Sequence, residues 1–304
     1  MRQASVHYGS TIRSVGPYDR GARETLAAEL IARDLGQEPL GTLARGHRIL
    51  KILELTYPSP ALSAAYFENL DRMLAARKKL PSPGRLLLGL GAGRCGSTSL
   101  TALAATIEGS CTTHENPPLI FWDAEDQQVA FHLRRFELLT RYFPLVFDAA
   151  HWWLNVVDRV FANFPDARAV GLRRNLQPCV RSFMSQKGSG RDSVNHWVAP
   201  GNGIWSSTVW DAAYPTYPRP DDSQAEPDRA KADLIGRYVM DYNRGMEALA
   251  KHFPGRVMLI QTEKLERISV QQRFFEFVGL PGRPIKAHLN EGTTSDGQSL
   301  EYRF

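Results

Sequence analysis

Over the first eighty residues apolar positions recur three and four apart. The segments Arg23 to Leu35, Leu40 to Leu55 and Pro60 to Leu80 each gather their aliphatic and aromatic residues on one stripe, the spacing of helices that bury one face. Pro81-Ser82-Pro83-Gly84 interrupts that rhythm. Beyond it Leu86-Leu87-Leu88-Gly89-Leu90 is an unbroken apolar run, the mark of a strand covered on both faces. Later stretches repeat the alternation. A short strand is expected around Cys111-Thr112-Thr113, then a long helix from about Asp123 to Tyr142. An apolar strand Leu145-Val146-Phe147, a helix through Val160 and a strand ending near Arg173 follow, and last a strand Arg256 to Ile260 with a helix running to Leu280. Strands alternating with helices predict an α/β fold built on a parallel sheet, flanked by helices on both faces and joined by right-handed crossovers. The expected organisation is a helical N-terminal extension over residues 1–80 and an α/β domain over 81–304.

Between Gln186 and Glu226 the periodicity fails. Gly188, Gly190, Gly201, Gly203, Pro200, Pro215, Pro218 and Pro220 alternate with Trp197, Trp205, Trp210, Tyr214 and Tyr217. Long irregular segments in compact domains are binding loops or lids more often than plain connections, and the aromatics argue against simple disorder. Residues 187–226 are therefore expected to form a lid over an acceptor, with a sugar ring as the natural partner for aromatic faces. Trp152-Trp153 does not decide between core and contact surface, since tryptophan serves both.

The chemistry begins where the first strand ends. Gly91-Ala92-Gly93-Arg94-Cys95-Gly96-Ser97-Thr98-Ser99-Leu100 is a glycine-spaced turn carrying one arginine, followed by hydroxyls that open a helix. Such a turn points successive N–H groups at an anion, and the positive end of the next helix reinforces the field. The spacing of Gly91 to Gly96 fits the nucleotide-binding Walker pattern, which however requires Lys directly after the last glycine. Ser97 stands there instead, and the cation, Arg94, lies inside the loop. A second segment, Leu172-Arg173-Arg174-Asn175-Leu176-Gln177-Pro178-Cys179-Val180-Arg181-Ser182, reads as a strand end with two arginines, then a helix with Asn175 at its cap and Pro178 in its first turn. Arginines at a strand end face the ligand crevice of an open α/β sheet.

These two segments resemble the cofactor-binding elements of sulfotransferases that use 3′-phosphoadenosine 5′-phosphosulfate. Arg94-Cys95-Gly96-Ser97-Thr98 is similar to the loop that grips the 5′-phosphate in that family, and Arg174, Asn175 and Ser182 reproduce the order and spacing of its 3′-phosphate site. A third match is partial. Thr262-Glu263-Lys264-Leu265 stands where the family commonly has Tyr-Glu-Asp-Leu, and the helix ending Phe277-Val278-Gly279-Leu280 is similar to one ending Phe-Leu-Gly-Leu. With Thr262 in the tyrosine's place, the contact usually made from that position is in doubt. The resemblance does not extend to the first eighty residues.

The resemblance implies a P-loop-like sulfotransferase fold and in-line transfer of a sulfuryl group to an acceptor hydroxyl. Gly93, Arg94, Cys95, Gly96, Ser97 and Thr98 would hold the 5′ end of the donor, Arg174 and Ser182 the 3′-phosphate, and Asn290 lies where the family closes over the nucleotide. Arg94 would neutralise charge on the bridging oxygen, so no metal is expected. An attacking alcohol needs a base. The family places it in the region of Ser110-Cys111-Thr112-Thr113-His114-Glu115-Asn116, so Glu115 is the first choice and His114 the second. On extended backbone adjacent side chains point oppositely, so one of the pair is expected to face the acceptor. Two other readings compete: a magnesium-dependent P-loop kinase, with Asp148 as its strand-end acid, and a nucleotide-binding relative without turnover.

Composition narrows the partners. The chain has 304 residues, 43% of them hydrophobic, and a formal net charge of +5. That is material for a sizeable core and a bias toward anions. Its basic residues are scattered, with no basic face interleaved by aromatics, so nucleic acid is not an expected partner. The three cysteines, Cys95, Cys111 and Cys179, suit neither a disulfide framework nor a metal site, which favours a reducing compartment. Beside Arg94 at a helix start, Cys95 is expected to favour its thiolate. Arg2, Arg13, Asp19 and Arg20 break any early apolar run, and no membrane span follows. The chain is expected to be cytoplasmic, with the oligomeric state open.

Overall fold

The computed structural model describes residues 60–116, 118, 120, 126–187, 203–204, 217–218 and 227–286. The helices expected before residue 60, nearly all of the segment 187–226, and Asn290 lie outside the described residues. The chain divides into two units. Residues 60–79 belong to one, together with parts of 116–120 and 125–138; the other takes 80–115 and nearly everything after Leu138.

In the smaller unit, α1 (Pro60–Leu74) and most of α3 (Asp126–Thr140) meet through aromatic rings. Phe131 lies 4.9 Å from both Tyr66 and Phe67, centroid to centroid, and the Arg134 guanidinium sits 4.0 Å over the Phe67 ring. The α1 helix stops six residues short of the expected Leu80. After Leu74 come Ala75-Ala76-Arg77-Lys78-Lys79, which offer little apolar surface to reward another turn.

In the larger unit, the expected parallel sheet is present. Its strands are β1 (Arg85–Leu90), β2 (Cys111–His114), β3 (Leu145–Ala149), β4 (Arg168–Arg173) and β7 (Val257–Gln261), in the order β2-β3-β1-β4-β7 and all parallel. Two residues each of β5 (Gly203–Ile204) and β6 (Tyr217–Pro218) pair antiparallel in a separate ribbon. Leu86, Leu87, Leu88 and Leu90 are all almost fully buried, as an unbroken apolar strand requires.

Helices cover both faces. On one, α2 (Ser97–Ala104) and α7 (Ile268–Val278) deliver Leu100, Leu103, Phe274, Phe275 and Val278 to a core with Leu87, Phe147, Val170 and Leu172. Gly171 points the other way. A Cβ there would lie 2.8 Å from Met246 Sδ of α6 (Pro227–His252) and 2.7 Å from Leu259 Cδ2, so the opposite face is covered by α6 at a separation that excludes a side chain. Two arginines from the entry ends of the sheet close α7: Arg85 donates to the Val278 carbonyl and Arg168 to that of Phe277. These are the orphan acceptors of a helix C-terminus.

Within this order β1 sits between β3 and β4. The chain leaving β1 runs outward to β2, and the chain leaving β4 runs the other way to β7. The carboxyl ends of β1 and β4 thus flank a switch point, where open α/β sheets place their ligand crevice.

Candidate functional site

The turn after β1 folds back on itself through its glycines. Gly93 and Gly96 take φ of 89° and 91°, and Arg94, between them, takes 51°. A left-handed arginine costs about 1–2 kcal/mol, and its surroundings must hold it there. At Gly91 there is no room for a side chain, since a Cβ would lie 2.2 Å from Cys95 Sγ. Gly96 is the residue before α2, so the first N–H groups of that helix, on Ser97, Thr98 and Ser99, open toward the crevice without partners of their own in the helix.

The neighbours of the loop are the residues that follow β4. Arg174 Nη1 donates to the Arg94 carbonyl at 2.6 Å, and Arg94 Nε donates to Ser182 Oγ of α5 (Leu176–Lys187) at 3.1 Å. Cys179, also on α5, points its thiol at the Gly93 carbonyl, 3.6 Å away. Arg94, Arg174 and Ser182, 88 residues apart at the extremes, thus form one constellation. Asn175, the residue before α5, is held from the end of β7. Its N–H donates to Glu263 Oε1 at 3.0 Å, and its side-chain oxygen accepts from Gln261 Nε2 at 3.1 Å. Thr262 donates its hydroxyl to the Cys95 carbonyl at 2.6 Å.

Cys95 behaves differently from the expectation of a thiolate. It is 2% exposed, and burial raises its pKa to about 11, outweighing backbone N–H groups and the Arg174 charge, which act in the opposite direction. Burial also pushes Cys179 up, with Cys95 adding to the effect. Both are packing residues.

His114 and Glu115 go to different partners. His114 ends β2 and its Nε2 lies 2.8 Å from Ser97 Oγ, so the imidazole meets the first hydroxyl of the loop helix. The expected alternation on extended backbone does not hold at Glu115, whose φ is +48°. Its N–H still donates to the Ala149 carbonyl at 2.8 Å, but the left-handed turn redirects the side chain. Glu115 Oε1 ends 3.7 Å from His151 Nδ1, on a carboxyl side chain 47% exposed. His151 begins the 3-10 turn His151–Asn155 that follows β3.

Asp148, the acid the kinase reading needs, is sealed. It is fully buried, and its carboxylate accepts from Thr113 Oγ1 and, at 2.7 Å, from Trp153 Nε1. Trp152 and Trp153 are core residues, at most 1% exposed. Among the described residues no three His, Cys, Asp or Glu side chains come together as metal ligands, and no helix is long and apolar enough to cross a membrane.

Two residues in this network carried no sequence signal. Tyr242, fully buried on α6, accepts from the Gly91 N–H at 3.2 Å and donates to the His151 carbonyl at 2.7 Å. No element is expected from the sequence over residues 227–252, so nothing there marks Tyr242 out. His151 is a single imidazole beside two core tryptophans. Spacing alone could have placed it only at the end of a strand, where crevice residues collect.

The sheet order and the crevice define an α/β protein with a glycine-turned loop at its switch point. The chain is similar to solved sulfotransferases. It shares 14% identity with the sulfotransferase domain of the curacin biosynthetic pathway, over 68% of this chain and 77% of that one, with a TM-score of 0.40. For the sulfotransferase of Alicyclobacillus acidocaldarius the figures are 15%, 70%, 87% and 0.39. For that of Mycobacterium avium they are 12%, 84%, 83% and 0.42. No family model and no curated protein matches the chain.

Proposed function

We propose that the chain transfers a sulfuryl group from 3′-phosphoadenosine 5′-phosphosulfate to a hydroxyl of a small-molecule or saccharide acceptor. The observation that carries this reading is the convergence of Arg94, Arg174 and Ser182 around one glycine turn, with Arg174 Nη1 2.6 Å from the Arg94 carbonyl and Arg94 Nε 3.1 Å from Ser182. Two cations and a hydroxyl around one glycine turn suit a ligand bearing two separate phosphate groups on one nucleoside. The positive φ of Gly93, Arg94 and Gly96 curls the loop in the way that lets successive backbone N–H groups hold an anion.

When bound, the donor supplies a sulfuryl group on a phosphate leaving group. The rest falls to side chains of this chain. Arg94 and the N–H groups of Ser97 and Thr98 meet the charge that grows on the bridging oxygen, a kind of aimed donor worth roughly 3 kcal/mol each. Arg174 and Ser182 recognise the 3′-phosphate. Glu115, half-exposed and turned out of the ladder, takes the proton of the acceptor hydroxyl. His114, engaged with Ser97, steadies the loop. Neutralisation by arginine makes the reaction independent of metal. The sealing of Asp148 weighs against a kinase, which needs an acid facing its magnesium ion.

Calorimetry with adenosine 3′,5′-bisphosphate and with ATP, each with and without magnesium, tests the proposal. Binding of the bisphosphate that is indifferent to magnesium supports it. Magnesium-dependent binding of ATP alone overturns it.

A further inference from the structure

The loop and the carboxyl end of β3 are joined by a buried hydroxyl that neither anion binding nor proton transfer requires. Gly91, the first residue of the turn, donates its N–H to Tyr242 Oη at 3.2 Å, and the same hydroxyl donates to the His151 carbonyl at 2.7 Å. Its two roles are fixed by that geometry: one proton to give, one lone pair to receive. Four atoms further along His151, Nδ1 lies 3.7 Å from Glu115 Oε1. Glu115 sits at φ +48° with its N–H tied to Ala149 of the same strand end. A left-handed glutamate is held only if its neighbours hold it, and the His151 turn is one of those neighbours.

We propose that Tyr242 is a positioning residue that sets the Glu115–His151 pair relative to the anion loop, so that filling the loop is felt at His151. This deepens the functional reading above and rests on it. The phenol is suited to the task because burial pushes its pKa well above the usual 10, with the Gly91 N–H acting in the opposite direction. It therefore keeps the proton it donates. The element that carries it is stiff: α6 runs 26 residues from Pro227 to His252. Tyr242 and the neighbouring Tyr238, 5.9 Å away between centroids, are both fully buried. Both hydrogen bonds meet at the one Oη atom, so a displacement of the Gly91 N–H is felt at the His151 carbonyl through that oxygen, which the ring and α6 hold in place.

The test is spectroscopic and needs no acceptor. The imidazole resonances of His151, assigned by their loss in His151→Gln, are followed by NMR while adenosine 3′,5′-bisphosphate is added. This is done with the wild-type chain, Tyr242→Phe and Tyr238→Phe. Tyr242→Phe keeps the ring and removes only the hydroxyl; Tyr238→Phe does the same one helical turn away. The expected result is a bisphosphate-induced shift of His151 in the wild type and in Tyr238→Phe that falls by more than half in Tyr242→Phe. Calorimetric affinity of Tyr242→Phe should stay within about fivefold of wild type, the scale of one neutral hydrogen bond. Equal shifts in all three proteins overturn the role of Tyr242 and leave the functional reading standing. An equal loss in Tyr238→Phe also overturns it, by showing general loosening of the core. Failure of the wild-type chain to bind the bisphosphate overturns the functional reading itself, and this inference with it.

Discussion

Arg174 has two duties in the proposed site, because the guanidinium that would meet a 3′-phosphate already donates to the Arg94 carbonyl at 2.6 Å. Replacing it by Ala removes a charged donor worth about 1.5–3 kcal/mol. Affinity for adenosine 3′,5′-bisphosphate is expected to fall roughly 10- to 100-fold, since 1.4 kcal/mol is a factor of ten. Adenosine 5′-phosphosulfate, which has no 3′-phosphate, should lose far less, and equal losses in competition calorimetry would sink the assignment. At Cys95 chemistry and packing part company. Arg94 beside it suggests an activated thiol, yet burial dominates and lifts the pKa to about 11. At pH 8 fewer than about one thiol in a hundred is then thiolate. Native protein should react with a thiol reagent at Cys95 no faster than it opens, with or without bisphosphate present. Rapid labelling blocked by ligand would contradict this.

The element at the centre of the proposed site is the start of α2, and Thr262, just past the edge strand β7, borders it. Gly96 stands at φ +91° with Thr262 Cγ2 3.0 Å from where a Cβ would be, and the Thr262 hydroxyl holds the Cys95 carbonyl. Gly96→Ala is expected to cost about 1–2 kcal/mol from backbone conformation alone, before any displacement of Thr262. Thr262→Val, which keeps the shape and removes the hydroxyl, should cost about 1 kcal/mol. Urea denaturation measures both, and a Gly96→Ala variant as stable as wild type would show that the turn relaxes. Much of this was legible from local pattern. The apolar run before Gly91, the hydroxyls after Gly96 and the arginines after Leu172 each announce their element by period and composition. What local pattern cannot carry is long-range direction. The positive φ of Glu115 depends on a strand end 34 residues away, and nothing in Thr113-His114-Glu115 departs from ordinary extended sequence. No element is expected from the sequence over residues 227–252, and the Tyr242 hydroxyl meets Gly91 only once α6 packs beside the loop. The shortfall of α1 at Leu74 is of another kind, since Ala75 to Lys79 can continue a helix but have no apolar stripe to bury.

Across the whole chain the balance of +5 favours anionic ligands, yet the response of stability to pH is expected to hinge on one neutral imidazole. His132 on α3 is fully buried, with its Nε2 2.7 Å from the Pro118 carbonyl. Nε2 carries the proton it donates there, so a neutral ring has its bare nitrogen at Nδ1. Burial, with the Arg135 charge second, holds its pKa well below the usual 6.5. The sign follows from proton counting. Below pH 6.5 the unfolded chain protonates this histidine and the folded chain does not, so the unfolded state binds more protons and stability falls as pH falls. The limiting slope is about 1.4 kcal/mol per pH unit for one proton. Asp158 works in the opposite sense, because burial raises its pKa above the usual 3.8. The folded state then takes up its proton first, and protonation recovers stability on approach to that lower range. His132→Gln retains an amide donor for Pro118 and removes the titration. Between pH 6.5 and 5 the wild-type chain should lose stability more steeply than His132→Gln by up to that limiting slope, as measured by urea denaturation at several pH values. Parallel curves would mean that the folded protein admits a charged His132, with the second proton on the buried Nδ1 while Nε2–H keeps its bond to Pro118.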